Sequence, residues 1–121
     1  MRFFQKPWFR RFAESEGIST TALKDIVNQI EAGYVDANLG GYVYKQRMAR
    51  KGEGKSGGYR VLVFFKKDDR IFFVYAFSKS QRANITQQEK AVLKSEAAIL
   101  MDLSDADLDT LVKQGVLVEL L

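Results

Sequence analysis

The sequence of 121 residues contains no cysteine and no histidine. Without cysteine the chain can form neither a disulfide nor a thiolate metal site. Without histidine it lacks the most common metal ligand and the usual general base near neutral pH. The chemistry of this protein is therefore expected to need no metal and no cofactor.

Long hydrophobic runs are also missing. The longest wholly apolar run is Ile71 to Phe77, far short of the ~20 residues that a membrane-spanning helix needs. At the N-terminus, Lys6 and Pro7 interrupt the stretch that would form the core of a signal peptide. We therefore expect a cytoplasmic protein without a membrane partner.

What is present indicates one folded unit. Apolar residues make up 46% of the chain and aromatic residues 12%, which is typical of a globular protein with its own core. No internal repeat or low-complexity linker divides the sequence. A single domain over residues 1–121 is predicted.

Positive charge is concentrated in the middle of the chain. Residues 1–40 are neutral, residues 41–82 carry a net charge of +8, and residues 83–121 carry −4. A segment this basic is a candidate binding surface for a polyanion, although a solvated surface would have the same composition.

The first third of the chain predicts a strand followed by two helices. Residues 1–4 are short and apolar, as in a strand. Pro7 suits the first turn of a helix that Gly17 ends. A second helix follows the possible N-caps at 19–21, and Gly33 is placed to end it.

The middle of the chain predicts an antiparallel meander. A turn is expected around residues 38–41. Residues 42–50 alternate as a strand does, and residues 59–65 and 70–77 are nearly continuous apolar runs, typical of strands covered on both faces. A charged hairpin turn joins the last two strands.

The last third predicts two more helices and a short apolar end. Thr86 with Glu89, and Ser104 with Asp107, have the spacing of helix-starting capping boxes. Residues 116–121 are interpreted either as a short strand or as an apolar tail. The predicted fold class is α+β: two N-terminal helices packed on an antiparallel β-sheet, with C-terminal helices on its other face or at its edge.

The glycine-rich stretch "GEGKSGGYR", residues 52–60, superficially resembles a phosphate-binding P-loop. That motif requires a glycine five residues before Gly54, where this chain has Ala49. It also requires a helix after the loop, and here a strand follows. A nucleotide-binding loop is therefore not expected.

Basic residues gather instead at the ends of the predicted strands. In an antiparallel meander, the end of the 42–50 strand, the start of the 59–65 strand and the end of the 70–77 strand lie together. Cations for phosphates beside a ring for stacking are typical of an RNA site. The residues concerned are Lys45, Arg47, Arg50, Lys55, Tyr59, Arg60, Lys79 and Arg82.

Residues 40–86, "GGYVYKQRMARKGEGKSGGYRVLVFFKKDDRIFFVYAFSKSQRANIT", resemble the RelE/HigB-like toxins of type II toxin–antitoxin systems, in particular a phage-associated branch. The N-terminal "KPWFRRFAESEGIS" and the C-terminal "TLVKQGVLVEL" fit the same pattern, so the resemblance covers nearly the whole chain.

The resemblance implies a small α+β domain and an mRNA interferase, that is, an endoribonuclease that inhibits translation by cleaving mRNA on the ribosome. Cleavage in such relatives needs no metal, because the ribose 2′-OH attacks the adjacent phosphate. It also implies a cognate antitoxin, usually a helix-turn-helix protein, as partner.

The resemblance also assigns roles. Arg60 matches an arginine at a strand start that contacts the scissile phosphate, and Lys79 and Arg82 match the basic residues after the last strand; these three are the predicted catalytic residues. The predicted RNA-binding residues are Lys45, Arg47, Arg50, Lys55 and Tyr59.

Two departures from the family bear on the general base. Relatives use a tyrosine near the C-terminus or histidines, and this chain has neither. We expect a lysine with a lowered pKa to act as the base, with Tyr59 and Tyr75 as alternatives. Two other functions stay open: a non-catalytic toxin of the same superfamily that inhibits gyrase, and a plain RNA-binding module.

Overall fold

A computed structural model of the protein describes residues 1–50 and 58–120. Within these ranges the chain forms six strands and four helices. The strands are β1 (Arg2–Gln5), β2 (Ala37–Gly40), β3 (Val43–Met48), β4 (Tyr59–Lys66), β5 (Arg70–Ser78) and β6 (Val118–Leu120). The helices are α1 (Pro7–Ser15), α2 (Thr20–Glu31), α3 (Gln87–Asp102) and α4 (Asp105–Lys113).

The helices begin where their capping residues predict. Pro7 occupies the first turn of α1, and the Ser19 side chain accepts a hydrogen bond from the backbone of α2. Complete capping boxes start α3 and α4, which satisfies backbone N–H groups that a helix start leaves without intrahelical acceptors. None of the helices in the described ranges is long and apolar enough to span a bilayer.

All six strands belong to one sheet, in the order β2-β3-β4-β5-β1-β6. The β2–β5 part is an antiparallel meander, as predicted, and the α+β fold class is confirmed. The sheet as a whole is mixed, because β1 lies parallel to β5, with Phe3 beside Ile71. No hairpin joins these two strands, so nothing in the local chain forces them to run antiparallel. The apolar end of the chain forms β6, which pairs with β1.

The turn predicted around residues 38–41 is partly wrong. Residues 37–40 form β2, and the reversal lies at Gly41 and Tyr42, which both have positive φ values. The sequence "ANLG" of β2 contains no β-branched or aromatic residue, so its extended shape comes from pairing with β3 and not from intrinsic propensity.

Strand β4 is buried on both faces. Val61 and Val63 point towards a core formed with α1 and α2, which we call the N-terminal helix face. On the opposite side, the C-terminal helix face, Phe64 packs with Phe72 and with residues of α3 and α4. The predicted placement of the two helix pairs is thereby resolved: they cover opposite faces of the sheet.

Arg70, at the start of β5, joins the sheet to the end of α3. Its side chain is buried, and one guanidinium nitrogen donates to the carbonyl oxygens of Leu100 at 3.1 Å and Leu103 at 2.6 Å. A second nitrogen donates to the Asp69 carboxylate at 2.9 Å, which holds the pKa of that carboxyl below its usual value. A cation at a helix C-terminus also interacts favourably with the helix dipole.

We expect Arg70→Ala to lower the free energy of unfolding by about 2–4 kcal/mol, because two carbonyls and a carboxylate lose a largely buried donor. Equilibrium unfolding in urea measures this change. Lys67→Ala, an exposed cation in the adjacent turn, is the control and should change stability by about 0.5 kcal/mol or less. Equal changes in the free energy of unfolding for both substitutions would contradict the stabilising link that Arg70 makes between the sheet and α3.

Candidate nucleic-acid interface

The predicted basic residues lie around one end of the sheet. Met48 at the end of β3 is the register partner of Tyr59 at the start of β4, and Tyr59 is the partner of Ser78 at the end of β5. Lys79 follows directly, and its backbone N–H donates to the carbonyl oxygen of Gly58. The convergence expected from antiparallel pairing is therefore found.

Gly58 allows this close approach of three strand ends. A Cβ atom added at this position would lie 2.1 Å from the carbonyl oxygen of Met48, a distance that no side chain can tolerate. The glycine is thus required by packing between the incoming chain and β3.

Alternation along the strands divides the predicted residues between the two faces of the sheet. Tyr59 packs in the core of the N-terminal helix face. Arg60, the next residue, therefore lies on the C-terminal helix face, where its register partners are Arg47 on β3 and Phe77 on β5. Lys45, two residues before Arg47, lies on that same face.

Arg60 is buried, with 9% of its surface exposed, whereas its neighbour Arg47 is exposed. Two like charges directly opposite each other on adjacent strands are unfavourable. Asp36 offsets part of the Arg47 charge, because its carboxylate accepts from the Arg47 backbone N–H at 2.6 Å and from Arg47 Nε at 3.2 Å. The pair concentrates positive charge at the strand ends.

Arg82 is fixed by a network in the loop between β5 and α3. Its two terminal nitrogens donate to the two carboxylate oxygens of Glu89 at 3.1 and 2.5 Å, and Nε donates to the carbonyl oxygen of Asn84 at 3.0 Å. The guanidinium carbon lies 5.5 Å from the centre of the Phe77 ring. The hydrogen-bonded ion pair with Glu89 raises the pKa of Arg82.

Asn84 links this network to β3. Its side-chain oxygen accepts a hydrogen bond from Nζ of Lys45 at 3.1 Å. Lys45 and Arg82, predicted from separate parts of the sequence, are therefore bound to the same loop residue. Lys79 is exposed at the start of this loop.

A second group of predicted residues lies on the N-terminal helix face. The Tyr59 hydroxyl donates to Oε1 of Glu16 at 2.5 Å, and the guanidinium of Arg50 lies 5.7 Å from the centre of the Tyr59 ring. Arg50 and Glu16 also approach within 4.0 Å. These residues line a pocket of about 520 Å³ between α1 and the end of β5.

One predicted residue, Lys55, lies outside the described residues, as does most of the glycine-rich stretch. The sequence reasoning missed several polar partners of the basic residues. The spacing of Glu89 from Thr86 predicts a helix cap, whereas in the structure Glu89 also binds Arg82. Glu16 and Asn84 gave no such signal, because their contacts depend on the tertiary fold.

Within the described parts of the chain, no three carboxylates or other metal-binding side chains cluster closely enough to hold a metal ion. The site contains arginines, lysines, aromatic rings, and carboxylates that are hydrogen-bonded to them. Such an arrangement can bind a polyanion and stabilise negative charge.

The α+β fold and the basic strand ends are those expected of the toxin component of a toxin–antitoxin system. The sequence model of one family, described as the RelE toxin of the RelE/RelB toxin–antitoxin system, matches residues 1–120. The chain therefore belongs to the RelE toxin family. A search of the curated proteins finds none that matches this chain. Family membership implies an antitoxin as partner.

The ion pair with Arg82 holds the pKa of Glu89 at about 2, below the ordinary 4.5, with help from the Thr86 backbone N–H. Because the folded-state pKa is lowered, the stabilisation is complete above about pH 5 and is lost as the pH falls through about 2.

We therefore expect Glu89→Gln to melt at a lower temperature than the wild type above pH 5, with the difference vanishing near pH 2. Glutamine can still complete the capping box, so the substitution isolates the ion pair. Thermal unfolding between pH 2 and 7 measures the difference. Equal melting temperatures of the two proteins at every pH would show that Glu89 acts only as a cap.

Proposed function

We propose that this RelE-family toxin is an endoribonuclease that cleaves mRNA on the ribosome and so inhibits translation. The observation that carries the proposal is the register of Arg60 with Arg47 on one face of the sheet, flanked by Lys45, Lys79 and Arg82. Arginine and lysine side chains gathered at one end of a sheet suit a surface that binds the phosphates of RNA.

The proposed reaction is intramolecular. The ribose 2′-oxygen attacks the adjacent phosphorus, the bond from phosphorus to the 5′-oxygen breaks, and a 2′,3′-cyclic phosphate and a 5′-hydroxyl result. The proton of the 2′-OH goes to a base, and the departing 5′-oxygen takes up a proton. The protein must hold the three reacting atoms in line and stabilise the extra negative charge of the pentavalent phosphorane.

Arg60 is buried at the start of β4, and an arginine is suited to stabilising phosphate charge because a guanidinium can donate two parallel hydrogen bonds to phosphate oxygens. Arg82 is oriented by Glu89 and Asn84, and Lys79 is exposed beside it. We assign these three residues to the scissile phosphate.

The remaining predicted residues are assigned to the RNA strand on either side. Lys45, Arg47 and Arg50 would bind flanking phosphates, and Tyr59 would support the surface on which a base lies; Lys55 keeps the role predicted from sequence. We consider two groups for proton transfer: the amine of Lys79, at the start of the loop that contains Arg82, and the hydroxyl of Tyr75, which lines the same pocket as Arg82. A helix-turn-helix antitoxin and a cytoplasmic location complete the proposal.

Induced expression in bacteria followed by primer extension on cellular mRNA tests this function. We expect growth arrest with mRNA cleaved in phase with codons. Arg60→Ala and Lys79→Ala should each lower cleavage by about 10²–10³-fold, since each removes a charged donor to the transition state. Lys79 is exposed, so its removal should leave the fold intact.

Arg10→Ala is the matched control, because Arg10 is an exposed arginine on α1 that pairs only locally with Glu14; it should cleave like the wild type. Growth arrest with intact mRNA and damaged DNA would overturn the proposal in favour of a gyrase inhibitor. RNA binding without arrest or cleavage would reduce it to a binding module.

A further inference from the structure

The pocket between α1 and the end of β5 is built from rings and arginines. Strand β1 pairs only with the first half of β5, residues 70–73, so α1 covers the region beside the second half. The pocket has a volume of about 520 Å³, enough for a nucleotide. Its walls include Trp8, Phe12, Tyr59, Tyr75, Arg50 and Arg82.

Trp8 contacts two other rings although 41% of its surface is exposed. Its ring stacks on Phe12, with centres 5.4 Å apart and planes 12° from parallel, and lies 4.8 Å from the ring of Tyr75. Tyr59 meets Phe12 edge to face at 5.4 Å. An exposed indole fixed by neighbouring rings is a ready stacking surface for a planar ligand.

Polar groups at the same pocket suit the rim of a nucleobase and its phosphates. Glu16 supplies a carboxylate and Gln81 an amide, so that both acceptors and a donor are present in the wall. Arg50 and Arg82 supply positive charge at the pocket. Arg82 is also one of the three residues assigned to the scissile phosphate, and it is bound by Glu89.

A neighbouring groove of about 670 Å³ shares Trp8 and Tyr75 but differs in chemistry. Its other walls are largely aliphatic, formed by Val74, Ile85, Val92 and Leu93 among others. It therefore presents fewer aromatic rings for stacking on a base than the aromatic pocket does.

We propose that the aromatic pocket binds one nucleobase of the RNA strand, stacked on Trp8, while Arg50 and Arg82 hold the phosphates beside it. The inference rests on the proposed function and deepens it, because it places a base-binding subsite beside β5, where Tyr59 of the N-terminal helix face and Arg82 of the proposed cleavage site line one pocket. The strand would pass around the end of the sheet, from one face to the other.

Trp8 is the only tryptophan in the chain, so its fluorescence reports on the pocket directly. The purified wild-type protein is titrated with a tetranucleotide carrying 2′-O-methyl groups, which cannot be cleaved by 2′-OH attack. Saturable quenching is expected, and ribose 5-phosphate, which has the sugar and phosphate but no base, should give none. If anisotropy shows that the oligonucleotide is bound but the Trp8 fluorescence is not quenched, the inference is overturned.

Substitution provides an independent readout by fluorescence anisotropy of a labelled 2′-O-methyl oligonucleotide. Trp8→Ala should weaken binding about ten-fold, within the range for loss of one stacked base, whereas Trp8→Phe should stay close to the wild type because it keeps a ring. Ile99→Ala, which removes an apolar side chain exposed on α3, should leave binding unchanged. Equal binding by Trp8→Ala and the wild type would contradict the inference.

Different experimental results would overturn the base-binding subsite and the proposed catalytic function. Arg60→Ala should still show quenching of Trp8 fluorescence while its cleavage is lost. Cleavage by the wild type without quenching would overturn the base pocket and leave the proposed function standing. Quenching without cleavage of any mRNA would support the pocket and overturn the endoribonuclease.

Discussion

The pairing of β4 with strands on both its edges is the constraint on which the rest of the structure depends. Because β4 is also covered on both faces, its register with β3 and β5 is fixed by two cores at once. A shift by one residue would place Arg60 in the core of the N-terminal helix face and Tyr59 on the opposite side. The same register aligns the start of β4 with the ends of its neighbours, so one packing constraint assembles basic residues from three parts of the chain.

The site that results has two sides with different chemistry. On the C-terminal helix face, guanidinium and ammonium groups gather where a phosphate would be attacked. Beside β5, rings and a carboxylate from the N-terminal helix face meet Tyr75, Phe77 and Arg82 around a pocket of nucleotide size. The loop after β5 connects the two sides, because Arg82 contacts the start of α3 through Glu89 and also lines the pocket. The ion pair couples the position of α3 to the position of a proposed catalytic group, which explains why a helix cap also belongs to the site.

Much of this arrangement is predictable from the sequence, and the reasons are local. Alternation and apolar runs indicate β3, β4 and β5, and antiparallel pairing then brings Arg60 and Lys79 to the same end. Capping residues predict where the helices begin. Three features require the tertiary structure. Strand β2 has no strand-forming residues, the division of Tyr59 and Arg60 between the two faces of the sheet depends on what covers each face, and the partners Glu16 and Asn84 are distant in sequence from Tyr59 and Lys45, respectively. The exposure of Trp8 also depends on the tertiary structure, because an indole in an amphipathic helix is expected to be buried.

The central claim is that the strand ends position RNA for attack by its own 2′-oxygen, and a single 2′-deoxy substitution tests it most directly. An mRNA with deoxyribose on the 5′ side of the cleaved phosphate is programmed into ribosomes and incubated with the purified toxin, beside the all-ribose mRNA. The account predicts that only the all-ribose mRNA is cleaved, and that its downstream fragment begins with a 5′-hydroxyl. Cleavage of the deoxy-substituted mRNA, or a downstream fragment beginning with a 5′-phosphate, would show that water is the nucleophile and would contradict the account.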